Sequence, residues 1–227
     1  MKNLKIFVLN TFILLVSSVI LQLITMFFNI YISNTIGEEA VGVFSLVMSV
    51  YVFGITLASA GINIASTRIV AEELACKNEV GAKTAAKRCL FFSLIFGISA
   101  SLIFFILADF IAIHCLHNRI SQNIIYLICI ALPFISMSAA INGYFTAVRR
   151  VYKNAIAKFG EEIVKIICAV FLLNTFMPNN ANHACYILIL ADVISEITSF
   201  FHLYILYLTD KRDSLLESRY KDLDSYN

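Results

Sequence analysis

Six apolar stretches, separated by short polar breaks, set the pattern of the chain: about 5–33, 40–67, 89–113, 121–148, 159–177 and 183–208. A run of about 18 or more apolar residues is long enough to cross a bilayer as a helix. The pattern therefore predicts an all-α, polytopic membrane protein: a bundle of six transmembrane helices over residues 1–210, followed by a polar tail over 211–227. Most runs exceed the roughly 20 residues a crossing needs, so the helices tilt or extend past the hydrocarbon. The first run follows a basic start, as in a signal peptide. It is longer than a signal h-region and lacks a small-residue cleavage site, and five further runs follow it, so it reads as a helix that stays.

Periodicity within the runs assigns faces. At 100° per residue, Thr11, Ser18, Gln22, Thr25 and Asn29 of span one share an arc of roughly 60°. Ser45, Ser49, Thr56, Ser59, Asn63 and Thr67 of span two share an arc of roughly 80°. Span six places Asp192, Ser195, Glu196, Ser199 and His202 on one side. Lipid satisfies none of these groups, so the stripes face protein or a watery cavity. Hydroxyl stripes alone fit close helix packing; Gln22, Asn29, Asn63, Asp192 and Glu196 point further, to a hydrated path. In span three, Ser93, Gly97 and Ser101 form a small-x-x-x-small ladder that predicts a close helix contact. Pro133 is expected to kink span four. Glu161 and Lys165 have the i, i+4 spacing of an ion pair at the start of span five.

Charge fixes the expected orientation. Lys2, Lys5, Arg68, Lys77, Lys83, Lys87, Arg88, Arg149, Arg150, Lys153, Lys158, Lys211, Arg212, Arg219 and Lys221 all fall on one side of the six-span arrangement, 15 of the 17 basic residues. Only Arg119 lies opposite, and Lys165 sits inside a span. The positive-inside rule then places both termini in the cytoplasm and the chain in the cell membrane. The segment from Arg68 to Arg88 reads as a partly helical loop held by anionic headgroups. Composition agrees: 60% of residues are hydrophobic and 14% charged, too few polar side chains to cover a soluble globule. A net charge of +2 gives no reason to expect a nucleic-acid partner.

Candidate chemistry is sparse. The six cysteines show no C-x-x-C spacing; only Cys115 and Cys185 share an outer level where a pairing is conceivable. His114 and His117 lack a third metal ligand. The chain has no G-x-S-x-G, H-E-x-x-H, P-loop or G-x-G-x-x-G, and the acidic pairs Glu38-Glu39 and Glu72-Glu73 lie at span ends. The expectation is a protein that is not an enzyme and holds no cofactor or metal.

Local sequences add a resemblance. They are Ile36-Gly37-Glu38-Glu39-Ala40-Val41-Gly42-Val43-Phe44, then Leu57-Ala58-Ser59-Ala60-Gly61-Ile62 and Ser66-Thr67-Arg68-Ile69-Val70-Ala71-Glu72, with Asn142-Gly143-Tyr144-Phe145 and Glu161-Glu162-Ile163-Val164-Lys165 further on. Their order resembles the stage V sporulation protein B family, in the polysaccharide-transporter branch of the multidrug/oligosaccharidyl-lipid/polysaccharide exporter superfamily, which includes lipid II flippases. The resemblance runs from about residue 5 to 210. It implies one lobe of a MATE-like flippase fold. The implied cargo is a polyprenyl-pyrophosphate-linked saccharide or peptidoglycan precursor, carried between membrane leaflets during cell-wall or spore polysaccharide biosynthesis. Two lobes rock about a central cavity in such proteins. This chain has the length of the amino-terminal lobe, so a second lobe or a second copy is an implied partner, besides membrane lipids.

The resemblance also places site residues. Where the family carries arginines in span one, this chain has Gln22 and Asn29, and Asn142 stands for the arginine before Gly-Tyr-Phe. Gln22, Asn29, Asn63 and Asn142 are the expected cavity lining. Arg68 and Lys165 are expected to attract the anionic headgroup, with Glu161 orienting Lys165. Asp192 and Glu196 are expected either to couple a cation or to pair with another helix. Two other functions fit the same lobe: a cation-coupled multidrug antiporter, and a membrane scaffold that carries nothing.

Overall fold

The computed structural model describes residues 2–76, 78–115, 121–176 and 181–210. Lys77, His117, Arg119, the tail 211–227 and the side chains of Thr11, His114 and Cys115 lie outside the described residues. Every regular element among the described residues is helical: α1 (Lys2–Ile36), α2 (Glu38–Ser59), α3 (Ile62–Ala75), α4 (Glu79–Ile106), a short α5 (Ala108–Phe110) running into a π-turn (Ile111–Cys115), α6 (Ser121–Ala147), α7 (Val151–Phe176) and α8 (Ala181–Leu208). The chain is thus an all-α, multi-pass membrane protein. Among the described residues, five stretches are long and apolar enough to cross a membrane: Leu15–Ile36, Glu38–Ala75, Val80–Ile106, Gln122–Ala147 and Ala181–Leu208. Helix α7, over the expected fifth span, is 26 residues long, but Lys158, Glu161, Glu162 and Lys165 interrupt its apolar run.

Two glycines shape the entry. Gly37, at φ +82°, is the single residue between α1 and α2, so the chain changes direction in one step that side chains with a Cβ strongly resist. Gly61, at φ +73°, ends α2 and starts α3. The expected span two, 40–67, is therefore two helices rather than one. The apolar pattern continues across the break, so hydropathy does not reveal it. A second departure lies downstream: α4 begins at Glu79, ten residues before the expected span, because Asn78 caps it by accepting the Gly81 N–H at 2.9 Å.

Helix α6 is the hub, packed by α2, α3, α4 and α8. Its closest neighbour is α4, at the ladder read from the sequence. A Cβ on Gly97 would stand 2.7 Å from the Cα of Pro133, so only glycine admits that approach. Above and below it, Ser136 Oγ donates to the Ser93 carbonyl at 2.6 Å and Ser101 Oγ donates to the Cys129 carbonyl at 2.7 Å. Cys129 is four residues before Pro133, whose missing N–H leaves that carbonyl without its helical partner. Ser101 supplies the lost donor, and α6 continues through Pro133 unbroken. A second close contact joins α3 to α6, where a Cβ on Gly143 would lie 2.5 Å from the Asn63 carbonyl oxygen. Ser66 Oγ donates there to the Ala140 carbonyl at 2.8 Å.

Three apolar cores follow from these contacts. One joins α2, α4, α6 and α8 around Tyr51, Phe104, Ile128, Leu132 and Ile189, with the free thiols Cys129 and Cys185 packed as apolar groups. Another gathers Val70, Ala86, Tyr144, Phe145, Leu203 and Tyr207 toward the end carrying the basic segments. The third ties α1 and α7 to α8 through Phe28, Ile32, Ala169, Leu173 and Leu188. Outward, Phe91, Phe92, Phe96, Leu102 and Ile106 of α4 are exposed, the surface a lipid-facing helix requires.

Candidate functional site

The polar stripe of α1 meets α7. Gln22, Thr25, Asn29 and Ser33 line a cavity of about 610 Å³ together with Leu21, Met26, Ile30, Lys158 and Glu162. Thr25 Oγ1 lies 2.9 Å from the Glu162 carboxylate and 3.0 Å from the Leu21 carbonyl, so its one proton is shared between the carboxylate and its own helix. Gln22 and Asn29 leave their amides exposed in this cavity. Lys158 is the cation of the lining; its ammonium is 2.6 Å from Glu161 and its side chain is 61% exposed, so it remains open to a ligand.

Behind the cavity, α7 and α8 exchange charge. Lys165 lies 2.7 Å from Asp192, and Glu161 accepts the Ser199 hydroxyl at 2.8 Å. The expected Glu161–Lys165 pair is not formed. Glu161 takes the lysine one turn earlier, and Lys165 reaches across to α8, where Asp192 is 4% exposed and needs a counter-charge more than Glu161 does. Asp192 of α8 is thus ion-paired to α7 through Lys165. Glu196, one turn further along α8, sits in the field of Glu161, Lys158, Asp192 and Lys165.

The remaining sequence-derived candidates sit elsewhere. Asn63 is exposed at the start of α3, and its carbonyl is the atom that Gly143 approaches. Asn142 uses its carbonyl to accept from Asn154 Nδ2 at 3.0 Å and from Thr146 Oγ1 at 2.8 Å. Arg68 is exposed on α3 and engaged by Glu72 at 2.9 Å. The structure thus brings Gln22 and Asn29 together, brings Lys165, Asp192 and Glu196 together, and gathers Asn63 and Asn142 at the α3–α6 contact. Asn154 and Lys158, one turn apart on α7, share a face that joins this contact to the cavity. The hydroxyls of Ser45, Ser49 and Thr56 on α2 are exposed and donate to carbonyls of their own helix.

Four participants were not singled out from the sequence: Lys158 and Glu162 in the cavity, Tyr51 beside the carboxyls, and Asp210. The i, i+4 spacing of Asn154, Lys158 and Glu162 on α7 was the available signal for the first two. Asp210, just past α8, is 3% exposed and gathers Arg150, Lys153 Nζ at 2.5 Å and the Tyr144 hydroxyl at 3.1 Å, while Lys83 Nζ donates to its carbonyl at 2.9 Å. Nothing local announces it, because its partners come from three separate segments.

The chain is 22% identical over 201 residues to a protein named stage V sporulation protein B from Bacillus subtilis (strain 168), an alignment covering 88% of this chain. It spans about two-fifths of that relative, 39% of its length. No solved structure matches the chain. The family described as polysaccharide biosynthesis protein matches residues 7–224, which takes in nearly all of the helices described above. The chain belongs to that polysaccharide biosynthesis protein family.

Proposed function

We propose that the chain forms a six-crossing lobe of a flippase for lipid-linked saccharides, with α7 as the crossing that carries charge and with both ends in the cytoplasm. The observation that carries this reading is the cavity between α1 and α7. Its amides, hydroxyl, carboxylate and lysine suit a sugar and a phosphate, and its Leu21, Met26 and Ile30 suit a prenyl tail. Lys158 is the headgroup cation in this reading, aided by Arg68 from α3, while Lys165 holds α8 through Asp192. Gln22 and Asn29 bond sugar hydroxyls, and Asn63 and Asn142 extend the polar track along α3 and α6. Membership in the polysaccharide biosynthesis family supports the substrate class. A second lobe, or a second copy, supplies the opposing wall for alternating access.

The test is binding of a fluorescent polyprenyl-diphosphate disaccharide to the chain in lipid nanodiscs. Replacing Lys158 by Glu removes a charge-assisted bond, worth about 1.5–3 kcal/mol, or about tenfold or more in affinity. Glu39→Gln, on the exposed start of α2, leaves binding unchanged. Equal binding by Lys158→Glu and the parent contradicts the reading and favours a scaffold that carries nothing.

A further inference from the structure

The junction of α2, α7 and α8 borders the saccharide cavity at Lys158 and Glu162 and adds groups that the saccharide reading does not use, Tyr51 and Glu196. Two lysines, Lys158 and Lys165, face four carboxyls, Glu161, Glu162, Asp192 and Glu196. Three of the carboxyls have partners: Glu162 takes Thr25, Glu161 takes Lys158 and Ser199, and Asp192 takes Lys165 through one oxygen. Glu196 takes no hydrogen bond or direct ion pair among the described residues. Two further atoms are buried there without a partner. Asp192 Oδ2 is one, and the hydroxyl of Tyr51 is the other, on a residue 2% exposed that lies in the field of Glu196, Asp192 and Glu161.

We infer that this junction is a proton-binding site, with Glu196 as the carboxyl that takes up and releases the proton and Tyr51 and Asp192 as the groups that receive it in a hydrogen-bonded network. Charge and hydrogen bonding lead to the same atom. With four carboxyls against two lysines, full ionisation leaves uncompensated negative charge in a low-dielectric setting, where like charges are held apart by protonating one of them. A proton on Glu196 removes one charge and adds an O–H donor one turn along α8 from Asp192, whose Oδ2 is unpaired, and in the same field as the unpaired Tyr51 hydroxyl. The other groups that bear on Glu196 are accounted for. From α7 they are Glu161, Lys158 and Lys165, from α8 Asp192, and from α2 Tyr51; Glu162 of α7 and His202 of α8 are further titratable side chains on the two helices. Helix α6, also packed on α8, brings only the phenols Tyr126 and Tyr144 and the thiol Cys129. Among the described residues no three His, Cys, Asp or Glu side chains converge to hold a metal ion, and the proposal commits to a proton.

Proton uptake is a local event, α7 against α8; the site shares Lys158 with the saccharide cavity, while Glu196 and Tyr51 lie outside that cavity's lining. Infrared difference spectra of the full chain in lipid bilayers test it directly. The parent is expected to show a protonated-carboxyl band that deuterium shifts and alkali removes. Glu196→Gln is expected to lose that band, and Glu38→Gln, on the exposed start of α2, to keep it. Tyr51→Phe is expected to keep the band with its frequency displaced, because a hydrogen-bond partner is gone. A parent without the band, or a Glu196→Gln protein that retains it unchanged, overturns the proposal. Removal of the band by sodium at constant pH overturns it in favour of a metal cation. Saccharide binding measured on the same samples reads the other site, so either account can fail without the other.

Discussion

Lys165 of α7 and Asp192 of α8 meet at 2.7 Å, and that pair turns two charged helices into one packed unit. Both groups are largely buried, with side-chain exposures of 21% and 6%. Removing one partner strands the other, which in a low-dielectric setting costs about 3–5 kcal/mol. Lys165→Met is expected to lower thermal stability in detergent by that order. Lys165→Met with Asp192→Leu is expected to recover most of the loss, because no charge is left alone. A double variant as unstable as the two single losses added together contradicts the pairing.

Ser101 and Pro133 form a second coupled pair. Ser101→Ala leaves the Cys129 carbonyl without a donor, at a cost of about 0.6–1.7 kcal/mol for an interhelical bond in a membrane. Replacing Pro133 by Ala restores an N–H for that carbonyl, so Ser101→Ala should then cost much less. A double-mutant cycle read by thermal unfolding decides it, and additive losses contradict the assignment.

Gly143 has no room for a methyl group. Ala there would bring a Cβ to 2.5 Å from the Asn63 carbonyl, and α3 would have to move away from α6. The expected penalty is about 1–3 kcal/mol, that of an overpacked interior. Gly42→Ala, whose Cβ would meet nothing within 4 Å, serves as the comparison and should stay within about half a kcal/mol of the parent. Melting curves of the two variants separate packing from a general intolerance of substitution.

The two contacts that Pro133 and Gly143 create show what the sequence discloses. The ladder of Ser93, Gly97 and Ser101 is visible as a spacing, and α4 uses it against α6. The change of direction at Gly37 stands in a recognisable motif. Pairing between charges is less legible. Glu161 has Lys165 four residues ahead and Lys158 three residues behind, and helix geometry favours neither. Only the placement of α8, with Asp192 and Ser199 facing α7, decides the matter. The division at Gly61 stays hidden because its neighbours are as apolar as the rest of the run. The α1 stripe is legible as a shared arc, and Gln22, Thr25 and Asn29 all border the pocket between α1 and α7.

Asp210 holds the α6–α7 junction to the end of α8 through Arg150 and Lys153. Asp210→Asn weakens both ion pairs and leaves Arg150 and Lys153 with less to hold them. Trypsin is therefore expected to cut at Arg149 and Arg150 faster in that variant, by about tenfold if roughly 1.4 kcal/mol of local opening energy is lost. An unchanged cleavage rate contradicts the latch.

Where the saccharide lipid sits on the protein is the most direct test of the flippase reading. A polyprenyl-diphosphate saccharide bearing a photoreactive group on its sugar, crosslinked to the chain in bilayers and mapped by mass spectrometry, reports that position. The account predicts adducts on the facing segments of α1 and α7, around Gln22, Asn29 and Lys158, and their loss on competition with unlabelled substrate. Adducts spread over the exposed Phe91, Phe92 and Phe96 face of α4, insensitive to competitor, would contradict it.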